Sequence, residues 1–224
     1  MSEAERGVVR HELTIPAPEA PIAGTLVLPA GAGARAVVLF APGRSGGASP
    51  RDARIAAALH EARFATLHTD LLTPEELRTD ERTGHLRFDI DLLASRVLAA
   101  TRVLCAARET AGLPIGYVGA GTGAAAAIQA TVLDRSAYAV VSRSGRPDLA
   151  LQCLPKVRVP TLLIVGGDDV PLVPLNQQAF DTLACEKKLV VLQGVGHQFE
   201  EPGAIDSAAR LATEWLQDRL PGRG

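Results

Sequence analysis

The stretch Tyr117-Val118-Gly119-Ala120-Gly121-Thr122-Gly123-Ala124-Ala125 constrains the fold more than any other part of the chain. An apolar run suited to a strand, 115–119, passes through three glycines at alternate positions into an alanine-rich stretch, 122–133, that reads as a helix. Glycines at this spacing strip side chains from the point where strand turns into helix, which lets other backbone approach closely. A strand that hands over directly to a helix in this way belongs to an α/β architecture.

The rest of the chain repeats that alternation. Segments 8–15 and 22–28 read as two strands joined by Pro16, Pro18 and Pro21, an opening antiparallel hairpin. Residues 36–41 form a near-continuous apolar run, as expected of a strand covered on both faces. A loop, Pro42-Gly43-Arg44-Ser45-Gly46-Gly47, leads from it to a helix opened by Ser49 and Pro50. Further strands are predicted at 64–68, 138–142, 161–165 and 188–192, and further helices at 89–111, 173–184 and 204–220. The charged segment 73–82 reads as a helix-like insertion, a solvated face or a small lid. The expected fold is a single α/β domain over residues 1–224, with a mainly parallel sheet, helices on both faces and a minimal cap.

Composition narrows the partners. With 47% hydrophobic and 21% charged residues the chain can bury one sheet, and a net charge of −2 excludes a strongly basic nucleic-acid binder. Only 4% of residues are aromatic, too few for a stacking platform on single strands. Cys105, Cys153 and Cys185 match neither a disulfide framework nor a C-x-x-C pattern and are expected as buried free thiols. The first residues lack the apolar core of a signal peptide, and no run reaches transmembrane length. The expectation is a cytoplasmic protein acting on a small-molecule substrate as monomer or homodimer, without nucleic acid, membrane or cofactor. His11, His60 and His85 lack metal-ligand spacing, so no metal is expected.

In an open sheet of this kind, ligands bind outside the carboxyl ends of the strands. There the chain places Gly121, then Asp168 and Asp169 after Gly166-Gly167, then His197 after Gly194-Val195-Gly196. Nucleophile, acid and histidine follow one another in this order in G-x-S-x-G hydrolases, where a serine sits on a strained strand-to-helix turn. Here the serine position is Gly121. A histidine takes a proton from the nucleophile, and a carboxylate fixes the imidazole tautomer. Asp169 is the preferred acid, with Asp168 the alternative. His68 and Asp70 reach the crevice edge, where capping and turn roles suit them better. Arg143 and Arg146 lie beyond the sixth predicted strand, and one of them is a candidate to grip a carboxylate.

Nearly the whole chain resembles the small, cap-poor α/β hydrolases of the dienelactone hydrolase group. The resemblance rests on the hairpin, Pro42-Gly43, the glycine turn, Val165-Gly166-Gly167-Asp168-Asp169 and Gly196-His197-Gln198-Phe199-Glu200-Glu201-Pro202-Gly203. The segment 119–127 is similar to a family elbow reading G-A-S-T-G-A-A-A-A, and the departure falls on the nucleophile itself. The resemblance implies ester or lactone hydrolysis through an acyl-enzyme. It also implies an oxyanion hole made by the amides of Thr122 and Arg44. From their place in that loop, Arg44 and Ser45 are also candidates to touch an anionic substrate, against the blander reading of a solvated loop arginine. Family members often carry a histidine where Pro42 stands.

Glycine cannot attack a carbonyl. Thr122, one position late, is expected to cap the helix rather than to replace the serine. The site then suits a hydrolase of the ester or lactone type that has lost its nucleophile naturally or by engineering. Alternatives are an isomerase, epimerase or lyase with His197 as base, or a catalytically dead ligand-binding protein.

Overall fold

The computed structural model describes residues 8–31, 33–43 and 49–222. Eight strands form one sheet: β1 (Val8–Ile15), β2 (Ile22–Pro29), β3 (Ala36–Ala41), β4 (Phe64–Thr69), β5 (Ile115–Ala120), β6 (Ala137–Gly145), β7 (Thr161–Gly166) and β8 (Lys187–Leu192). Their spatial order is β1-β2-β4-β3-β5-β6-β7-β8, antiparallel from β1 to β4 and parallel from there on. Among the described residues the helices are α1 (Pro50–Glu61), α2 (Pro74–Thr83), α3 (Ile90–Ala106), α4 (Gly121–Leu133), α5 (Leu172–Thr182) and α6 (Ala204–Asp218), with short 3-10 turns between some of them.

Period-two alternation sorts the central strands onto two cores. In β3, Ala36, Val38 and Phe40 belong to the core on the side of α1 and α6, while Val37, Leu39 and Ala41 face α3 and α4. All six are buried, which is why the strand reads as an unbroken apolar run. The predicted helix at 89–111 ends at Ala106, because Ala107 turns extended (φ −70°, ψ 132°) and the Thr110 hydroxyl donates to the Leu104 carbonyl at 2.7 Å. The thiols are less buried than the sequence suggests: Cys105 is exposed, and Cys153 and Cys185 are half-buried. Among the described residues, no helix is long and apolar enough to cross a membrane.

The sheet order changes direction at β3: the chain steps outward from it to β4, then returns to add β5 on its other side. Such a reversal opens a crevice beyond the carboxyl ends of the two strands that flank it. Gly43 follows β3 and Gly121 follows β5, so the glycine turn lands in that crevice. Helices α1, α2 and α3 are capped by the side chains of Ser49, Thr73 and Asp89. Helix α4 is not: its N-cap is Ala120, which leaves its first-turn amides without a side-chain acceptor.

Candidate active site

Gly121 adopts φ +50°, the left-handed conformation of a sharp strand-to-helix turn. Glycines pack this turn tightly. A Cβ at Gly119 would meet the Ala124 Cα at 2.5 Å, and one at Gly123 would overlap the carbonyl oxygens of Ala41 and Pro42. At Gly43 a Cβ would stand 2.7 Å from the Ala120 carbonyl oxygen. Position 121 is less confined: its nearest obstacle is the Gly43 Cα at 3.1 Å, so a side chain there needs Gly43 to shift by a few tenths of an ångström rather than displacing carbonyl oxygens.

β6 continues past its predicted end and runs alongside the turn. Gly145 bridges Gly121 in parallel, and the Arg146 amide donates to the Gly121 carbonyl at 2.8 Å. Adjacent to Gly145, the Ser144 hydroxyl donates to the His197 carbonyl at 3.1 Å, which draws the loop after β8 toward the turn. His197 Nδ1 lies 2.6 Å from Asp169 Oδ2. Asp169 is buried and His197 half-exposed, so the acid is shielded while the imidazole keeps an open side. With Nδ1–H donating to the carboxylate, Nε2 carries the lone pair and is the basic nitrogen. Asp168 is exposed and takes no part in this pair.

Thr122 is not a helix cap. Its side chain is buried, and its hydroxyl is directed to the Gly43 carbonyl at 3.4 Å, tying α4 to the loop after β3. Arg44 and Ser45, assigned from sequence to the hole and to the substrate, lie outside the described residues.

The polar run at the end of β6 requires a correction. Arg143 is a strand residue, paired across the sheet with Ala120 on β5 and Ile164 on β7, and is 5% exposed. Its Nη2 donates to Asp52 Oδ1 at 3.2 Å. Burial lowers the hold of Arg143 on its proton, and the Asp52 carboxylate offsets part of that. Arg146 forms a fork with the Asp148 carboxylate instead, at 2.9 and 2.7 Å. Both guanidinium groups are thus engaged within the protein. Sequence reasoning missed Asp52, because nothing local signals a partner 91 residues away.

Helix α2 covers the turn from the side of α3. Leu71, Leu77, Asp80 and Leu93 close a cavity of about 20 Å³ against Gly43 and Thr122. The helix is fixed by a capping box between Thr73 and Glu76, and Glu76 also accepts from the buried Arg96 at 2.9 Å. Burial alone would raise the Asp80 carboxyl, but hydrogen bonds from Arg87 outweigh it and hold it below its ordinary value. The outer surface of α2 is charged and solvated, and its inner surface is a small cap.

A cavity of about 770 Å³ lies elsewhere, between α1 and the β1, β2 and β4 strands. None of Gly121, Asp169 and His197 lines it. His68 does, stacked on Phe40 with ring centroids 4.2 Å apart, and burial pushes its pKa down to about 4. Asp70 lines the same cavity. Among the described residues, no three His, Cys, Asp or Glu side chains converge as a metal site would require.

Residues 22–219 match the model of the dienelactone hydrolase family. The crystal structure of a dienelactone hydrolase from Anabaena variabilis is similar over 96% of this chain and all of that one, at 45% identity and a TM-score of 0.90. An esterase of Pyrococcus furiosus shares the fold at 13% identity, with a TM-score of 0.79 over 99% of this chain and 96% of that one. Two Mycobacterium tuberculosis proteins named "putative phosphoribosyl transferase" are 46% identical over 216 residues, 96% of this chain and 47% of each relative. The chain therefore spans about half the length of the curated relatives it matches. Fold, sheet order and family model agree: the chain belongs to the dienelactone hydrolase family.

Proposed function

We propose that this chain is a hydrolase-type protein for a small carboxylic ester or lactone, retaining Asp169 and His197 as acid and base but lacking a covalent nucleophile at Gly121. The observation that carries this reading is the 2.6 Å Asp169–His197 pair, linked through Ser144 and Gly145 to a turn at φ +50°. Without an oxygen at residue 121, the base acts on water. Nε2 of His197 takes a proton from a water molecule as its oxygen attacks the carbonyl carbon, and the tetrahedral oxyanion is received by the Thr122 amide. The C–O bond to the leaving group then breaks, and the imidazolium returns its proton to the departing oxygen. General-base catalysis of this kind contributes roughly 10²- to 10⁴-fold, so turnover is slow beside that of an acyl-enzyme route.

Hydrolysis of short aryl esters by the wild-type chain and by Gly121→Ser tests the reading. Serine is expected to raise kcat by about 10³-fold or more, with the gain abolished by His197→Ala. A folded Gly121→Ser protein with no gain would overturn it.

The name of the mycobacterial relatives points to phosphoribosyl transfer. This chain spans 47% of each of those proteins and matches the hydrolase family model over residues 22–219, so the hydrolase reading is the one proposed for it.

A further inference from the structure

We propose that Asp52 and Arg143, together with Ser144, are positioning residues that fix His197 relative to the start of α1 and the end of β6. Every residue from 196 to 199 is held from outside or across its own turn. The Gly196 amide donates to Glu201 Oε1 at 2.9 Å. The His197 carbonyl accepts from Ser144 Oγ at 3.1 Å, and the Gln198 carbonyl accepts from Arg51 Nη1 at 3.3 Å. The Phe199 ring, 2% exposed, lies under the Arg143 guanidinium, 5.9 Å from ring centroid to Cζ.

Two of these residues are strained. Ser144 has φ +44° and Phe199 φ +55°, left-handed conformations that side-chain-bearing residues adopt only where their surroundings over-determine them. They occur on the two segments that meet at His197. Arg143 and Ser144 are consecutive, so the end of β6 touches the histidine loop twice, through a ring and through a carbonyl.

Asp52 extends the device to the other side of the site. Oδ1 accepts from Arg143, and Oδ2 accepts from the Ser49 hydroxyl at 2.7 Å. Ser49 caps α1 at the end of the connection from β3. One buried carboxylate thus joins the start of α1 to the strand that grips the histidine loop. The backbone of Arg143 lies between Ala120, which precedes Gly121, and Ile164 on β7, the strand that leads to Asp169. A guanidinium at this point keeps the base in register with turn and acid without meeting the substrate.

The test reads the Nδ1 proton of His197 by proton NMR, assigned by its loss in His197→Gln. It needs no turnover, so its outcome is separate from that of the hydrolase reading. Solvent exchange of this proton is expected to be about tenfold faster in Ser144→Ala and in the doubly neutral Asp52→Asn/Arg143→Met, and unchanged in Arg143→Lys. The double variant leaves no unpaired buried charge, and Ser144→Ala removes a single hydroxyl, so neither depends on tolerating a lone charge. Exchange within about twofold of wild type in both variants would overturn the proposal. Equal acceleration across all backbone amides would overturn it too, since that is general destabilisation rather than positioning.

Discussion

Asp169 Oδ2 and His197 Nδ1 stand 2.6 Å apart, although 28 residues separate them in sequence. They meet because β7 and β8 are parallel neighbours whose carboxyl ends project their loops to the same side. Asp169 anchors its own loop as well: its carbonyl accepts from the Leu172 and Val173 amides, so the acid is set by the first turn of α5. The arrangement selects one histidine tautomer. Asparagine at 169 can present an N–H to Nδ1 and so favour the other tautomer, with the proton on Nε2.

In a Gly121→Ser background, Asp169→Asn is therefore expected to lower kcat for aryl esters by about 10³- to 10⁴-fold. Asp168→Asn, altering an exposed neighbour, should leave kcat within about twofold. Steady-state kinetics on the three proteins checks this. Equal losses at both positions would mean that the loop, not the Asp169–His197 pair, sets the rate.

The glycines of the turn differ in what they tolerate. A methyl group at Gly123 falls on the carbonyl oxygens of Ala41 and Pro42, which are backbone and cannot swing aside. Gly123→Ala should cost about 3 kcal/mol or more. Gly121→Ser brings a Cβ to 3.1 Å from the Gly43 Cα, a closeness relieved by a shift of a few tenths of an ångström, and carries a left-handed φ penalty of about 1–2 kcal/mol. Urea unfolding of the two variants separates them, and equal losses would contradict the packing described here.

The parts of the site legible in the sequence are those encoded locally. The glycine spacing at 119, 121 and 123 announced a tight turn, and the Gly-Gly-Asp-Asp and Gly-His segments announced loops at strand ends. The sheet alternation was equally plain, because β3, β5 and β7 are short apolar runs bounded by glycine or proline. The end of β6 was not legible. Ser142-Arg143-Ser144-Gly145 has the composition of a loop, yet it continues as strand because β5 and β7 bracket it and the bridge to Gly121 extends it. The charge of Arg143 is offset there by Asp52, a pairing that exists in three dimensions alone. The cavity under α1 was invisible for the same reason: it is a gap between elements, and no residue type marks it.

Helix α2 depends on one carboxylate. Glu76 accepts from the Thr73 amide at 2.7 Å and from Arg96 at 2.9 Å, and Arg96 is fully buried. Its other acidic neighbour, Glu19, is exposed and 4.0 Å away. Glu76→Gln should destabilise the protein by about 3 kcal/mol, because a buried guanidinium loses its counter-charge. Glu76→Gln/Arg96→Met should recover most of that loss, since no charge is then left stranded. A double-mutant cycle by urea unfolding measures the difference, and additive losses would show that the pair is not coupled.

His68 gives the fold a pH dependence of definite sign. Burial lowers its pKa from 6.5 to about 4, and this desolvation outweighs the opposing pull of Asp52. Above pH 6.5 the ring is neutral in both folded and unfolded chains and adds no pH-dependent term. As pH falls from 6.5 toward 4, the unfolded chain binds a proton that the folded chain does not, so stability is lost across that window. Below about 4 both states are protonated and the loss levels off. At pH 4.5 the cost is about 2 kcal/mol after allowing for the partial exposure of the ring, worth about 5 °C in Tm for a chain of this size. His68→Gln, which keeps a polar side chain that does not titrate, should therefore show a smaller fall in Tm between pH 7.5 and 4.5 than the wild type. Calorimetric scans at the two pH values measure this, and identical falls would place the acid sensitivity on other groups.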